Sequence, residues 1–176
     1  MAPGDFKHKN SRWNKVIKTI DEQIKAIDAE IESLIAANPV LTRQKDLLTS
    51  IDGVGDRIAI NMIAITGGFT GFQNARQFCS FAGLTPYKYD SGTSVRSKAK
   101  ISKRANQTMK VLLHMSAVNV ATRMKEGEYK EYYERKLKEG KHKMCIFNVL
   151  RAKLVHRMFS VIKRDELYTK QYKPAF

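Results

Sequence analysis

Residues 47–68 read LLTSIDGVGDRIAINMIAITGG, and this stretch decides the fold. Gly53-Val54-Gly55 stands between two runs with helical apolar spacing. Thr42–Ser50 (TRQKDLLTS) predicts one helix. Asp56–Thr66 predicts the next, with Ile58, Ala59, Met62, Ile63 and Ile65 on its apolar side and Gly67-Gly68 as its stop. Two glycines let the chain reverse tightly because no Cβ stands in the way. Helix, glycine turn and helix together form a helix-hairpin-helix pattern. The start of its second helix offers backbone N–H groups and the positive end of a dipole to a phosphate. Such a contact is to backbone and carries no base specificity. The same residues would equally serve a tight helix–helix turn that touches nothing outside the protein.

Upstream, Trp13, Ile17, Ile20, Ile24, Ile27, Ile31 and Leu34 alternate at spacings of four and three, an a/d heptad seam with polar residues on the other faces. The seam predicts a coiled-coil helix over about residues 11–40, with residues 11–37 joining copies of the chain. A helix packed on its own domain would show the same stripe. Asn38-Pro39 stops this helix, and residues 1–10 read as a disordered lead-in.

Downstream, residues 41–165 predict a compact helical domain. Asn74–Ala82 (NARQFCSFA) is a short helix capped by Asn74. Residues 84–100 read as a loop or short irregular hairpin carrying Ser91-Gly92. Ser102–Met124 is a long helix with Met109, Leu112, Leu113, Ser116 and Val120 inward. Tyr129–Glu139 is a charged helix broken by Gly140. Met144–Lys163 is amphipathic, with Ile146, Phe147, Leu150, Leu154, Val155, Met158 and Ile162 inward, and residues 166–176 are a loose tail. The fold class is therefore all-α: a long coiled-coil helix, then a helical domain with a helix-hairpin-helix motif and an irregular loop that carries the Ser-Gly.

The net charge of +15 is distributed unevenly. Residues 1–50 carry 8 Lys/Arg against 7 Asp/Glu, residues 51–87 carry 2 against 2, and residues 88–176 carry 22 against 8. A one-sided field of this kind fits a phosphate backbone better than an anionic membrane surface. Cys79 and Cys145 have no metal spacing and read as buried free thiols in a reducing compartment. No apolar run reaches membrane-span length and no signal-peptide core follows Met1, so a cytoplasmic protein without membrane association is expected.

A serine hydroxyl can attack a phosphodiester where a positive field stabilises the developing charge. Ser91 is placed for that role beside Arg96, Lys98, Lys100, Lys103 and Arg104. Serine before glycine in a loop also serves plain turn chemistry, and Ser94, Ser97 and Ser102 are rivals. No HxE, HExxH or CxxC pattern supplies a metal site; His114, His142 and His156 read as packing or surface residues. The glutamates around Glu126, Glu128, Glu131 and Glu134 alternate with cations and read as a solvated face.

IDGVGDRIA, GGF-x₂-F, FCSFAGLTPYKYDSG and KISKRANQTMKVLLHMSA, in this order, resemble the C-terminal domain of the DEDD-type insertion-sequence transposases, the bridge-RNA-guided serine recombinases. The likeness covers about residues 47–163, and the heptad helix resembles the linking coiled coil of that family. It implies that Ser91 is the nucleophile and holds the cut strand as a phosphoserine. From the glycine turn and the positive field, Gly53, Gly55, Arg96, Lys98, Lys100, Lys103 and Arg104 are the expected contacts to nucleic-acid phosphate. The resemblance also implies partners: DNA, a guide (bridge) RNA, further copies of the chain, and an N-terminal RuvC-like domain. That domain would hold magnesium on four carboxylates, so no cofactor is expected on this chain. The chain is expected to lack it, because Asp5, Asp21 and Asp28 do not form such a tetrad, and to be inactive alone. Ala105 stands where the family usually has glycine. The sequence leaves two other classes open: a non-catalytic helix-hairpin-helix module that binds DNA or RNA and dimerises through its coiled coil, and an interaction protein whose basic face meets an acidic partner.

Overall fold

The computed structural model of the chain describes residues 3–87, 90–91, 95–96, 100–101 and 105–169, with backbone alone for 3–9 and from Tyr87 to Ile101. The chain divides into two compact units, 1–42 and 43–176. The class is all-α: among the described residues there are seven helices, with four two-residue extended segments between the fourth and fifth.

In the first unit, α1 runs Pro3–Ala36. It begins eight residues before the expected Ser11, so the lead-in of residues 1–10 is helical from Pro3. Proline suits a first turn, where its missing N–H would be unpaired anyway and its φ is already helical. Trp13, Ile17, Ile20, Ile24, Ile27 and Leu34 are exposed, and Ile31 is half-buried. The Asn38-Pro39 pair both stops α1 and starts α2 (Pro39–Thr49), three residues earlier than predicted. The Asn38 Oδ1 accepts from the N–H groups of Val40 (3.0 Å) and Leu41 (3.3 Å), and Pro39 takes the first helical position.

In the second unit, the end of α2 buries Leu47 and Leu48, and the turn after it buries Ile51 and Val54. α3 spans Asp56–Thr66, as the apolar spacing predicts, and ends on Gly67 in the left-handed region (φ 57°). α4 spans Ala75–Phe81, and the Asn74 Oδ1 accepts from Gln77 N–H at 2.9 Å. α5 (Gln107–Val118) continues into a π-helical turn, Asn119–Arg123. α6 covers Glu128–Lys138 and α7 covers Lys143–Arg164. α7 packs against α4, α5 and α6. Its Leu150, Leu154 and Met158 meet a core that includes Phe78, Met62, Met109 and Leu113, all fully buried. Phe159 joins this core edge-on to Phe69, with ring centroids 5.0 Å apart.

The structure corrects several expectations. α5 starts at Gln107 rather than Ser102, because the Asn106 Oδ1 caps it by accepting from Met109 N–H at 2.9 Å. It also closes in a π turn rather than as α-helix to Met124. On α7, Val161 is buried and Ile162 half-buried, and Arg151 sits in the core at 4% exposure. Cys145 is exposed because it lies on the outer face of the first turn of α7, whose Ile146 and Phe147 are buried, whereas Cys79 is buried and its thiol is pushed up to about 11 by desolvation. The described part of the tail is tied down: Arg43 Nε donates to Asp165 Oδ1 at 2.8 Å, and Tyr168 N–H donates to Ser50 Oγ at 2.9 Å.

If the Asn106 cap sets the start of α5, Asn106→Ala should cost about 1 kcal/mol, read as a shifted urea midpoint with unchanged slope.

Candidate nucleic-acid interface

The glycine turn is asymmetric. Gly53 has φ +84°, a conformation that L side chains rarely adopt, and its carbonyl accepts from the Ser116 Oγ of α5 at 2.6 Å. A Cβ built on Gly53 would lie 2.1 Å from Val120 Cγ1 of the π turn. Gly53 therefore faces the domain. Gly55 faces outward: a Cβ there would meet nothing within 4 Å, and its φ of −91° is open to any residue. Gly55 is the N-cap of α3 with no side-chain cap, and its carbonyl accepts from the N–H groups of Ile58 and Ala59, both at 3.0 Å. The charge at this helix start is balanced. Asp56 lies in the first turn, where a carboxylate favours the dipole and competes with phosphate for it, and Lys45 Nζ stands 3.5 Å from Asp56 Oδ1.

Between α4 and α5 the chain forms an antiparallel hairpin in two short ladders. β1 (Pro86–Tyr87) pairs with β4 (Lys100–Ile101), and β2 (Asp90–Ser91) pairs with β3 (Val95–Arg96). The registers are Pro86 with Ile101, Tyr87 with Lys100, Asp90 with Arg96 and Ser91 with Val95. Ser91 thus pairs with Val95, and Arg96 lies one register step from it. Lys100 lies nearer the base. Gly92, Lys98, Lys103 and Arg104 lie outside the described residues. The base is pinned on both sides. Leu84 is buried, its carbonyl accepts from Asn148 Nδ2 of α7 at 2.8 Å, and Asn106 N–H donates to the Phe81 carbonyl at 3.2 Å. Ala105 is buried beside that bond.

A second concentration of cations lies on the outer side of α7. Arg157 donates to Glu128 Oε2 at 2.8 Å, and its guanidinium lies 4.8 Å from the Tyr129 ring centroid and 4.5 Å from that of Tyr168. Burial pulls the Arg157 pKa down, but Tyr129 and Glu128 outweigh it and hold the pKa above its ordinary value. Lys153 lies 4.3 Å from the Tyr132 ring centroid and 3.9 Å from Glu128 Oε1. Among the described residues no three His, Cys, Asp or Glu side chains converge as metal ligands. No described helix is long and apolar enough to cross a membrane.

Residues 45–134 match the transposase family described as IS116/IS110/IS902, a stretch that is half of the chain and holds both the glycine turn and the Ser-Gly hairpin. The chain belongs to that family. It is similar to a pilin gene-inverting protein of Moraxella lacunata, 27% identical over 158 residues, which are 88% of this chain and 48% of that protein. The corresponding protein of Moraxella bovis shares the same identity and coverage. An insertion element IS110 protein of Streptomyces coelicolor is 29% identical over 153 residues, 86% of this chain and 36% of its own length. The chain spans about half the length, or less, of the curated relatives it matches.

Within the family's matched stretch lie Gly53, Gly55, Ser91, Arg96, Lys98, Lys100, Lys103 and Arg104. The structure brings Ser91 and Arg96 onto one hairpin, and it separates Gly53, which packs inward, from Gly55, which lies open. The partners of Gly53 were not legible in the sequence, since Ser116 and Val120 stand more than sixty residues away along the chain. The α7 cations were missed too; the signal was available, because that helix holds six Lys or Arg and no Asp or Glu.

The two glycines should separate on mutation. Gly53→Ala should cost about 3 kcal/mol from left-handed strain and overpacking against Val120. Gly55→Ala should change stability by less than about 1 kcal/mol. Equal losses in urea unfolding would refute this division of roles.

Proposed function

We propose that the chain is the nucleic-acid-binding part of a transposase and supplies Ser91 as the nucleophile for DNA strand cleavage and transfer. The observation that carries this reading is the family match over the Ser-Gly hairpin. The register supports it, with Ser91 paired to Val95 and Arg96 one step away. In the proposed step the Ser91 Oγ gives up its proton to a base and bonds to phosphorus. The phosphorus–oxygen bond to the neighbouring nucleotide breaks, and the departing oxygen takes up a proton. The strand is then held as a phosphoserine ester, which a second strand's hydroxyl can attack in turn. Arg96, Lys98, Lys100, Lys103 and Arg104 supply the field that binds the backbone and stabilises the charge on the reacting phosphoryl group. The open side of the turn at Gly55 is a further place for a backbone phosphate. Magnesium, held by a RuvC-like partner domain, would polarise the phosphoryl oxygens. A guide RNA would choose the target by pairing.

Copies of the chain are proposed to assemble through α1. Its exposed stripe of Trp13, Ile17, Ile20, Ile24 and Ile27 is the physical support, since a strip of this length left in water favours self-association. A site that needs Ser91 from one copy and carboxylates from another would then form only in the assembly.

Affinity for duplex DNA should fall log-linearly with salt, with a slope of about −0.9 per phosphate contact; a flat response would refute nucleic-acid binding. Ser91→Ala, assayed with the RuvC-like domain present, should abolish strand transfer and leave duplex affinity within about twofold, and normal transfer by this variant would sink the nucleophile assignment. Ile24→Asp should convert an oligomer to a monomer in light scattering; a chain that is monomeric before mutation would refute assembly through α1.

A further inference from the structure

We propose that the outer face of α7 is a second nucleic-acid surface, separate from the hairpin, which takes a single-stranded phosphodiester chain. This rests on the transposase reading but uses none of the residues assigned there. α7 carries Lys143, Arg151, Lys153, Arg157, Lys163 and Arg164 and no carboxylate over 22 residues. A helix that only needed solubility would mix signs, as α6 does with Glu128, Glu131 and Glu134 beside Lys130, Arg135, Lys136 and Lys138. Arg151 is consumed in the core. Much of the remaining charge borders an open groove of about 570 Å³, lined by Glu128, Lys153, His156, Arg157, Arg164 and Tyr168 among others. Glu128 is its one carboxylate, and it is shared between Arg157 and Lys153. Lys153, Arg157 and Arg164 outnumber Glu128 in its lining.

The occupant is argued from shape and side-chain type. Single strands are held by positive grooves that track the backbone and by aromatic rings on which bases stack. Here the groove is concave, Tyr168 lines it, and Tyr132 lies under Lys153. Both rings are half-buried, so each keeps open surface. Arg157 is held between the Tyr129 and Tyr168 rings, so little side-chain freedom remains to be lost when a phosphate arrives. A duplex is read instead by elements that project into its grooves, and this concavity projects nothing. Glu128 acts as an internal competitor that a strand's phosphates must displace.

The test uses the full chain and fluorescent oligothymidine, oligouridine and a duplex of equal length, titrated by anisotropy. Lys153 and His156 both reach solvent, and the double variant Lys153→Glu with His156→Glu should keep the helical circular dichroism. Affinity for both single strands should fall about tenfold or more, with a shallower salt dependence, while duplex affinity changes by less than about threefold. Glu128→Gln should raise single-strand affinity about threefold by releasing Lys153 and Arg157. Unchanged single-strand affinity in the double variant overturns the proposal, as does an equal loss for strand and duplex. Failure of the hairpin reading looks different: the unaltered chain would bind single strands and not duplex.

Discussion

A single backbone carbonyl organises the second unit. Gly53 turns through the left-handed region and presents its oxygen to the Ser116 hydroxyl, while its missing Cβ makes room for Val120. A buried carbonyl left unpaired would cost about as much as a lost hydrogen bond, and any side chain here would collide with the π turn. The contact joins the glycine turn to α5 across more than sixty residues of sequence. It fixes how α3 leaves the turn, and it leaves Gly55 as the open corner. The π turn belongs to the same constraint, since it carries the Val120 methyl that closes on Gly53.

α7 does for the rest of the domain what Ser116 does for the turn. Its apolar side is the core against which α4, α5 and α6 pack. Its Asn148 holds the Leu84 carbonyl at the base of the Ser-Gly hairpin. Its Arg157 clamps Tyr168, and its C-terminal Asp165 meets Arg43 of α2. One helix therefore supports the hairpin from one side and ties residues 165–168 back to α2 and Ser50 from another. The hairpin's base is held to the core by these bonds, with Leu84 buried and Ser91 paired to Val95 in the second of the two short ladders.

The sequence was most legible where local chemistry acts alone. Gly67-Gly68 ends α3, Asn74 caps α4, and the apolar spacing of residues 58–66 places that helix to the residue. It was less legible where two signals overlap. Asn38-Pro39 stops one helix and starts another with the same atoms, and a scan for breakers sees only the stop. The run SKRANQT carries helix-forming residues on both sides of Asn106, and it took the cap bond to Met109 to show where α5 begins. Arg151 carries no such local signal: it is buried on α7, its Nε donating to the Phe147 carbonyl and its pKa lowered by desolvation.

By itself the sequence determined the all-α class, the heptad stripe on α1, the glycine turn between two helices and the skew of positive charge toward the last half. Each of these depends on spacing and residue type within a dozen positions, which are local properties of the chain. Only the tertiary structure decided which glycine faces inward, which side of α7 carries its cations outward, and that the hairpin is rooted between Leu84 and Asn106. Those outcomes depend on which distant side chains come to share a few ångströms, as Ser116 and Val120 do with Gly53, and such proximity is set by packing of the whole core rather than by any one segment.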